Sequence, residues 1–150
     1  FNMTEDVPTE PYRIPFGKAA VKTPGEDVTI VSSGYMVPLA LRAAQTLLSD
    51  GISTEVIDLR TVSPLDDTTI LESVKKTGRL VVTEPAWKSF GVSAEIITRI
   101  AEKAPQYLKS PASRVTFPDT HSPTSSALED DFFPDEIFLL FCMLFLELFL

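Results

Sequence analysis

The side chains that could carry out acid–base or metal chemistry in this chain are few, with one histidine and one cysteine in 150 residues. His121 follows Asp119 by two positions, so a carboxylate is available to orient the imidazole of a catalytic histidine. The interpretation we favour is a loop histidine at a turn or at a contact between subunits. One cysteine and one histidine leave only carboxylates as metal ligands, and residues 129–131 (Glu-Asp-Asp) are better interpreted as a solvated acidic run.

A second group of candidates lies where the expected strands end. Arg60 and Glu84 each follow an apolar run, and open α/β sheets bind ligands at the carboxyl edge of the sheet. The same two side chains could equally form one structural ion pair. Residues 33–35 (Ser-Gly-Tyr) open an expected helix, where free backbone N–H groups can bind an anion, although the three-glycine dinucleotide pattern is absent.

Trp87 and Phe90 stand beside Gly91 in a segment expected to be a loop. Aromatic side chains in such a place can form a lid or anchor an interface, and packing in the core is the competing interpretation. No serine stands in the Gly-x-Ser-x-Gly pattern of a nucleophile elbow. The chain therefore holds no self-sufficient catalytic constellation.

The elements that position these residues are centred on residues 28–66. Residues 28–31 and 56–59 are mostly apolar and predict two buried strands. Between them, apolar residues recur at the spacing of one helical face: Met36, Leu39, Ala40, Ala43, Ala44, Leu47 and Leu48. A strand–helix–strand unit closes as a right-handed crossover between parallel strands, so the sequence predicts an α/β domain.

Strands and helices continue to alternate on both sides of this unit. The expected elements are a strand over residues 18–22, a helix over 66–78, a strand over 80–82, a helix with Ile97, Ile100, Ala101 and Ala104 on its apolar face, and a strand over 114–117. Asp66 or Ser63 can cap the first of these helices and Gly78 can end it. Glu84 and Pro85 are expected to stop the strand that begins at residue 80.

Composition excludes some classes of function. The net charge is −8 and the pI is near 4.6, whereas nucleic-acid binding needs a basic surface. A single cysteine allows no internal disulfide and indicates a reducing compartment. Residues 1–16 are interpreted as an extended, proline-containing linker; no secretory signal is recognisable there, and a first residue other than Met suggests a processed product or a piece of a longer chain.

The end of the sequence is unusually apolar. Of the fourteen residues 137–150, thirteen are apolar, whereas a surface helix keeps a polar face. A membrane span needs about 20 apolar residues, so membrane attachment is not favoured. A buried docking helix or a non-native end is the preferred interpretation, and the domain proper is predicted to cover residues 17–136.

Several segments together resemble one known family, in register from about residue 5 to residue 136. They are residues 12–19 (YRIPFGKA), 27–31 (DVTIV), 55–61 (EVIDLRT), 63–66 (SPLD), 76–79 (KTGR) and 90–96 (FGVSAEI). They are similar to the β subunit of the thiamine-diphosphate-dependent component of 2-oxo-acid dehydrogenase complexes, in its transketolase C-terminal-like domain. Trp87 ahead of Phe90 favours the pyruvate and acetoin branches, because the branched-chain branch tends to have a glycine-rich loop there.

The resemblance implies a three-layer α/β/α fold with a five-stranded, mostly parallel sheet that has one antiparallel strand. It also implies a parent enzyme that decarboxylates a 2-oxo acid oxidatively and transfers the acyl group to lipoyl groups. In that family the thiamine diphosphate and Mg²⁺ are held by the N-terminal domain of the β subunit and by the α subunit. None of those ligands can be carried over to this chain, so we expect it alone neither to bind the cofactor usefully nor to turn over a 2-oxo acid.

The resemblance further implies a role in assembly. The implied partners are the α subunit, a second β subunit in a heterotetramer of two α and two β subunits, and the lipoyl acyltransferase core, in the bacterial cytoplasm or the mitochondrial matrix. The residues we expect at interfaces are Arg60, Glu84, Trp87, Phe90, Lys109, Asp119 and His121.

Two features depart from the family pattern. Lys109 lies in a turn where some pyruvate dehydrogenase β subunits carry an acidic residue that docks a basic partner, and its charge would oppose that attraction. Residues 137–150 replace an amphipathic helix. From the residues alone, two other functions stay open: an α/β module that binds a small anion at residues 33–35, and a membrane-associated protein that uses its tail.

Overall fold

The computed structural model describes residues 6–136, 139 and 140. Within those residues the chain forms five strands, four α-helices and one short 3₁₀ turn, Pro105–Tyr107. The strands are β1 (Ala20–Thr23), β2 (Val28–Ser32), β3 (Thr54–Asp58), β4 (Leu80–Trp87) and β5 (Ser113–Phe117). The helices are α1 (Met36–Ser49), α2 (Asp67–Thr77), α3 (Val92–Lys103) and α4 (Ser126–Phe132).

The strands form one sheet in the order β1-β3-β2-β4-β5. Strand β1 runs antiparallel to β3, and the other neighbours are parallel. In the centre, Ser32 of β2 pairs with Asp58 of β3 on one side and with Thr83 of β4 on the other. The expected five-stranded, mostly parallel sheet with one antiparallel strand is confirmed.

Two hydrophobic cores lie on the two faces of this sheet. One packs α1 against the strands around Ile30 and Val56, and the other packs α2 and α3 around Val31 and Ile57. Alternate residues of each strand point to opposite faces, which is why neighbouring residues of β2 and β3 divide between the cores. The three-layer α/β/α arrangement is thereby confirmed.

Two details of the predicted helical faces were wrong. Leu48 of α1 is 63% exposed, and Ala101 of α3 is exposed while Ile96 is buried in its place. Each misplaced residue directly follows a buried one, and consecutive helical residues point about 100° apart. In both pairs the first residue, Leu47 or Ile100, is the buried one.

The ends of α2 are formed by the residues that the sequence suggested. The Asp66 carboxylate accepts a hydrogen bond from the Thr69 backbone N–H at 3.3 Å, which satisfies one of the free donors of the first turn. Gly78 follows the last turn with φ +78°, a left-handed conformation that favours glycine.

Strand β4 is longer than expected, because it continues through Glu84 and Pro85 to Trp87. The pairing between β2 and β4 ends at Thr83. Proline has no backbone N–H, but Pro85 lies beyond that pairing, so no hydrogen bond to β2 is lost. Its pairing with β5 is irregular between Thr83 and Trp87. A proline is tolerated at such an irregular edge position.

The apolar end of the sequence lies mostly outside the described residues. Of its first residues, Leu139 is fully buried in the core beneath α1 and Leu140 packs against that core. Just before them, the Glu136 carboxylate accepts hydrogen bonds from Arg42 Nε and Thr46 Oγ1, both at 3.1 Å. These contacts support a docked segment for residues 139 and 140. No helix in the described part of the chain has both the length and the apolar character needed to cross a membrane.

Candidate interaction surface

Exposed aromatic and strained residues gather where the parallel strands end. Trp87 at the end of β4 is 56% exposed, and Phe90 just beyond it is fully exposed at 103%. Phe90 (φ +61°) and Arg60 (φ +57°), the latter just past the end of β3, are non-glycine residues in the left-handed region. Such conformations cost on the order of 1–3 kcal/mol and persist only where the surroundings hold them. Because Trp87 and Phe90 are exposed, the interpretation that they pack in the core is wrong.

Hydrogen bonds tie the segment of residues 87–91 (the 87–91 loop) to the segment of residues 118–125 (the 118–125 loop). The indole Nε1 of Trp87 donates to the Thr120 carbonyl at 3.1 Å. The backbone N–H and the hydroxyl of Ser89 donate to the two carboxylate oxygens of Asp119 at 2.9 and 2.7 Å. These bonds from Ser89 hold the pKa of the Asp119 carboxyl below its ordinary value. The two loops are therefore joined by hydrogen bonds around the Asp119 carboxylate.

Glu84 fixes the other end of the 87–91 loop. Its side chain is buried, and its carboxylate accepts hydrogen bonds from the backbone N–H groups of Val92 and Ser93, both at 2.9 Å. A negative charge at the N-terminus of α3 is favoured by the helix dipole. A Cβ atom at Gly91 would overlap Glu84 Oε1, so Gly91 is needed for this close approach. Phe90 is thus held between two restrained neighbours with its ring facing outward.

A cleft opens between the two loops. Its volume is about 430 Å³, and it is lined by Trp87, Ser89, Phe90, Asp119, Thr120 and His121. Both Asp119 oxygens bind Ser89, and among the described residues none forms a hydrogen bond with the His121 ring. The geometry therefore does not assemble the carboxylate–imidazole pair of a catalytic histidine.

Arg60 and Glu84 do not meet. The Arg60 guanidinium lies 4.0 Å from the Asp58 carboxylate, and the Arg60 backbone N–H donates to the same carboxylate at 3.1 Å. Because Glu84 binds the start of α3 instead, the interpretation of Arg60 and Glu84 as one ion pair is wrong.

Lys109 lies apart from the other expected interface residues. Its Nζ donates to the Thr77 carbonyl at the end of α2, at 3.2 Å, and its backbone N–H donates to the Gly78 carbonyl. A cation is favoured at a helix C-terminus. Because α2 ends where β4 begins, Lys109 marks the amino edge of the sheet, whereas the 87–91 and 118–125 loops lie at its carboxyl edge.

Sequence reasoning missed the residues that hold the surface together. Ser89 and Thr120 were not singled out, and each contacts a residue more than 29 positions away. An aromatic cluster beside the cleft was also missed, in which the Phe117 ring contacts Phe132 and Phe133 at centroid distances of 5.3 and 5.2 Å. The adjacent phenylalanines 132 and 133 were its only sequence signal.

The start of α1 does not fit an anionic cofactor well, and the described side chains do not fit its metal. At the start of α1, the Met36 and Val37 N–H groups already donate to Ser33 and Gly34 carbonyls at 3.2 Å, and the next residue, Pro38, has no N–H. Few donors are left for a phosphate, which weakens the anion-binding interpretation of residues 33–35. The part of the chain that the structure describes has no group of three or more His, Cys, Asp or Glu side chains able to hold a metal ion.

Comparison with known proteins places this arrangement in a family. The model of the transketolase C-terminal domain matches residues 17–137, and the chain belongs to that family. Within it, the chain is 49% identical over 123 residues to the pyruvate dehydrogenase E1 component subunit beta of Bacillus subtilis, and 48% identical to that of Staphylococcus epidermidis. Each match covers 82% of this chain and 38% of the relative. The expected resemblance to this subunit is confirmed, and the chain spans well under half the length of these relatives.

A solved structure supports the same fold. A split-gene transketolase, described as an inactive beta4 tetramer, superposes with a TM-score of 0.79 at 26% identity. The match covers 90% of this chain and 44% of that protein. The transketolase-like architecture is therefore shown by sequence and by structure alike.

Proposed function

We propose that this chain is the C-terminal assembly domain of a pyruvate dehydrogenase β subunit, or of a related acetoin or 2-oxo-acid dehydrogenase. The observation that carries the proposal is the 49% identity to such a subunit, over a domain whose exposed aromatic residues lie on loops joined by hydrogen bonds. The parent enzyme would decarboxylate a 2-oxo acid with thiamine diphosphate and Mg²⁺ and transfer the acyl group to lipoyl groups. The bacterial relatives favour a bacterial cytoplasmic enzyme.

The carboxyl edge of the sheet is the surface that we assign to subunit contacts. Trp87, Phe90, Asp119 and His121 line its cleft, and Arg60 lies at the same edge of the sheet, just past the end of β3. Exposed aromatic side chains on pre-ordered loops lose little entropy on binding and are frequent anchors of interfaces. Glu84 is proposed to act indirectly, by holding the turn that displays Phe90. The partners would be an α subunit and a second β subunit.

The amino edge is proposed as the side that faces the lipoyl acyltransferase core, with altered docking. Lys109 occupies the turn where related β subunits carry an acidic residue, and its ammonium is engaged by the C-terminus of α2. A basic partner would meet a cation here rather than a carboxylate, which lowers affinity and on-rate. We infer that docking of such a partner uses different residues.

A domain exchange tests the assembly role. Residues 17–136 would replace the matching segment of the Bacillus subtilis β subunit, and the chimera would be co-expressed with its own α subunit. We expect recovery of a heterotetramer, because the exchanged domain keeps the carboxyl-edge surface that assembly needs. A chimera that folds but fails to retain the α subunit would contradict the proposal.

Cofactor binding by this chain alone tests the division of labour. We expect calorimetric titration with thiamine diphosphate and Mg²⁺ to give no binding heat, since the described residues hold no group of three or more acidic, His or Cys side chains for a metal ion and the Met36 and Val37 N–H groups at the start of α1 are already engaged. Inorganic phosphate, titrated in parallel, tests the alternative of an anion-binding module at residues 33–35. Micromolar binding of thiamine diphosphate would overturn the expectation.

A further inference from the structure

We propose that the amino edge of the sheet binds an acidic peptide segment of a partner protein, through a surface (the amino-edge patch) formed by Lys75, Arg79, Tyr107 and Lys109. The proposal deepens the docking role proposed for this edge and rests on it. A basic partner is disfavoured at this edge, and the patch indicates the opposite kind of partner, one whose carboxylates flank an apolar side chain.

The patch brings together two distant stretches of the chain where α2 ends. Lys75 lies in the last turn of α2, and its Nζ lies 5.6 Å from the centre of the Tyr107 ring, in a cation–π contact. Lys109 reaches the same helix end, since its Nζ donates to the last carbonyl of α2 at 3.2 Å. Arg79 follows α2 by two positions. Lys75, Tyr107 and Lys109 are exposed and can therefore meet a partner directly.

The positive charges of the patch are not neutralised within the described part of the domain. Among the described residues, Lys75, Arg79 and Lys109 form no ion pair. The clearest case is Arg79, which is only 8% exposed and whose guanidinium donates to a backbone carbonyl, that of Asp27, at 3.3 Å. Buried charges are normally paired with an opposite charge. The patch is therefore locally cationic in a chain whose net charge is −8.

The carboxylates nearest to the patch do not remove this charge. Glu55 is buried and binds the Lys76 ammonium at 2.5 Å, and Glu26 lies 3.7 Å from the same ammonium. Glu72 lies one turn before Lys75 and Lys76 on α2, but it forms no ion pair with either. The attraction that the patch exerts on a negative group is thus not spent on the domain's own acids.

An acidic peptide matches the layout of these groups. Tyr107 is 39% exposed and stands beside the cations, so a matching segment places an apolar side chain on its ring and carboxylates towards Lys75 and Lys109. Complementary charge across such a contact raises the on-rate and disfavours wrong partners. A long nucleic acid would also meet the acidic remainder of this chain and be repelled by it, whereas a short segment covers the patch alone.

The first test measures binding of an acidic peptide by the full 150-residue chain. The probe is a short fluorescein-labelled peptide in which glutamates alternate with leucines, and its uncharged counterpart has glutamine in place of each glutamate. We expect fluorescence anisotropy to show binding of the acidic peptide only, and added salt to weaken it because exposed charge pairs are screened. Equal binding of the two peptides, or binding of neither, would overturn the proposal.

Charge reversal tests whether the patch is the site. We expect Lys75→Glu to raise the dissociation constant of the acidic peptide by about fivefold to tenfold, because repulsion replaces attraction. Lys88→Glu is the matched control. Lys88 is also exposed and forms no ion pair among the described residues, but it follows the far end of β4, an eight-residue strand that spans about 25 Å.

The control separates a local site from a general effect of charge. Both variants change the net charge of the chain equally, but position 88 lies beyond the Debye length of about 10 Å from the patch. We expect the dissociation constant of the Lys88→Glu chain to change by less than about twofold. Equal effects of the two substitutions would refute a site at the amino edge.

The second test maps the site without a substitution. Backbone amide resonances of the isotopically labelled chain would be followed while the acidic peptide is added, and we expect the largest shifts at residues 75–79 and 107–109. Shifts confined to other surfaces would refute the proposal, as would tighter binding of a thymidine oligonucleotide at the same residues. The domain exchange depends on contacts at the carboxyl edge, so it could succeed while this docking fails, and the two failures can be told apart.

Discussion

Asp66 shows how one side chain can join three parts of the fold. Its carboxylate accepts hydrogen bonds from the Thr69 hydroxyl at 2.8 Å and from the Ala19 N–H at 3.1 Å, in addition to capping α2. Burial by itself raises the pKa of the Asp66 carboxyl, but these hydrogen bonds and the charge of Lys18 outweigh it and lower the pKa below its ordinary value. The residue therefore links the approach to β1 with the start of α2.

Replacing Asp66 by alanine should destabilise the domain. We expect Asp66→Ala to lower the free energy of unfolding by about 2–3 kcal/mol, because the helix cap is lost and the Ala19 N–H is left without its acceptor. Urea unfolding at neutral pH measures the loss. Asp66→Asn is the matched control, since asparagine caps helices about as well as aspartate. An alanine variant as stable as the asparagine variant would show that the side-chain oxygen at position 66 contributes nothing to the free energy of unfolding.

The same residue should contribute to acid sensitivity. A carboxyl whose pKa is lowered on folding adds stability above its unfolded pKa, and this is lost as the pH falls through the folded pKa. We therefore expect the stability difference between the original chain and Asp66→Asn to shrink as the pH drops below about 4. Urea unfolding at a series of pH values measures this difference. A difference that stays constant with pH would contradict the linkage.

At the scale of elements, the C-terminus of α2 depends on a glycine and a lysine together. The Lys109 methylenes cross Gly78, so a Cβ there would lie 2.7 Å from them. Gly51, after α1, also has a positive φ (+87°) but has nothing within 4 Å of such a Cβ. The two glycines thus share a backbone requirement and differ in their surroundings.

This pair gives an internally controlled prediction. Gly51→Ala should cost about 1 kcal/mol, the backbone penalty of a left-handed alanine. Gly78→Ala should cost more, because the Lys109 side chain must move away from the Thr77 carbonyl to which it donates. Thermal and urea unfolding of both variants provide the comparison. If the two losses are equal, Lys109 does not stabilise the end of α2.

The elements also show what a sequence can and cannot predict. The caps at Asp66 and Gly78 were predictable, because each acts on residues within one helical turn. The length of β4 was not, since Pro85 is tolerated only because β2 has already ended beside it. The hydrogen bonds of Asp119 and Trp87 join residues 30 and 33 positions apart. No local sequence pattern predicts a hydrogen bond at that separation. The candidate interface residues could therefore be proposed only one by one from the sequence, and their grouping at two edges of the sheet came from the topology.

At the scale of the whole molecule, the last described residues return across the domain. Phe132 and Phe133 pack on Phe117 at the end of β5, and Leu139 then enters the core beneath α1. The carboxylate of Glu136 fastens the intervening stretch to α1. The last described residues thus complete the core on the α1 side of the sheet. Removing their contacts should therefore lower the free energy of unfolding of the whole domain, not only that of the terminus.

Leu139→Ala tests this closure. We expect the free energy of unfolding to fall by about 2–5 kcal/mol, the cost of emptying a fully buried leucine site, with a single transition and an unchanged denaturant slope. Leu128→Ala is the matched control, because Leu128 lies in α4 of the same segment but is 57% exposed, and its loss should stay within about 0.5 kcal/mol. Urea unfolding followed by tryptophan fluorescence reports on the domain through Trp87, the only tryptophan. Equal, small losses in the two variants would mean that the segment rests on the domain without completing its core.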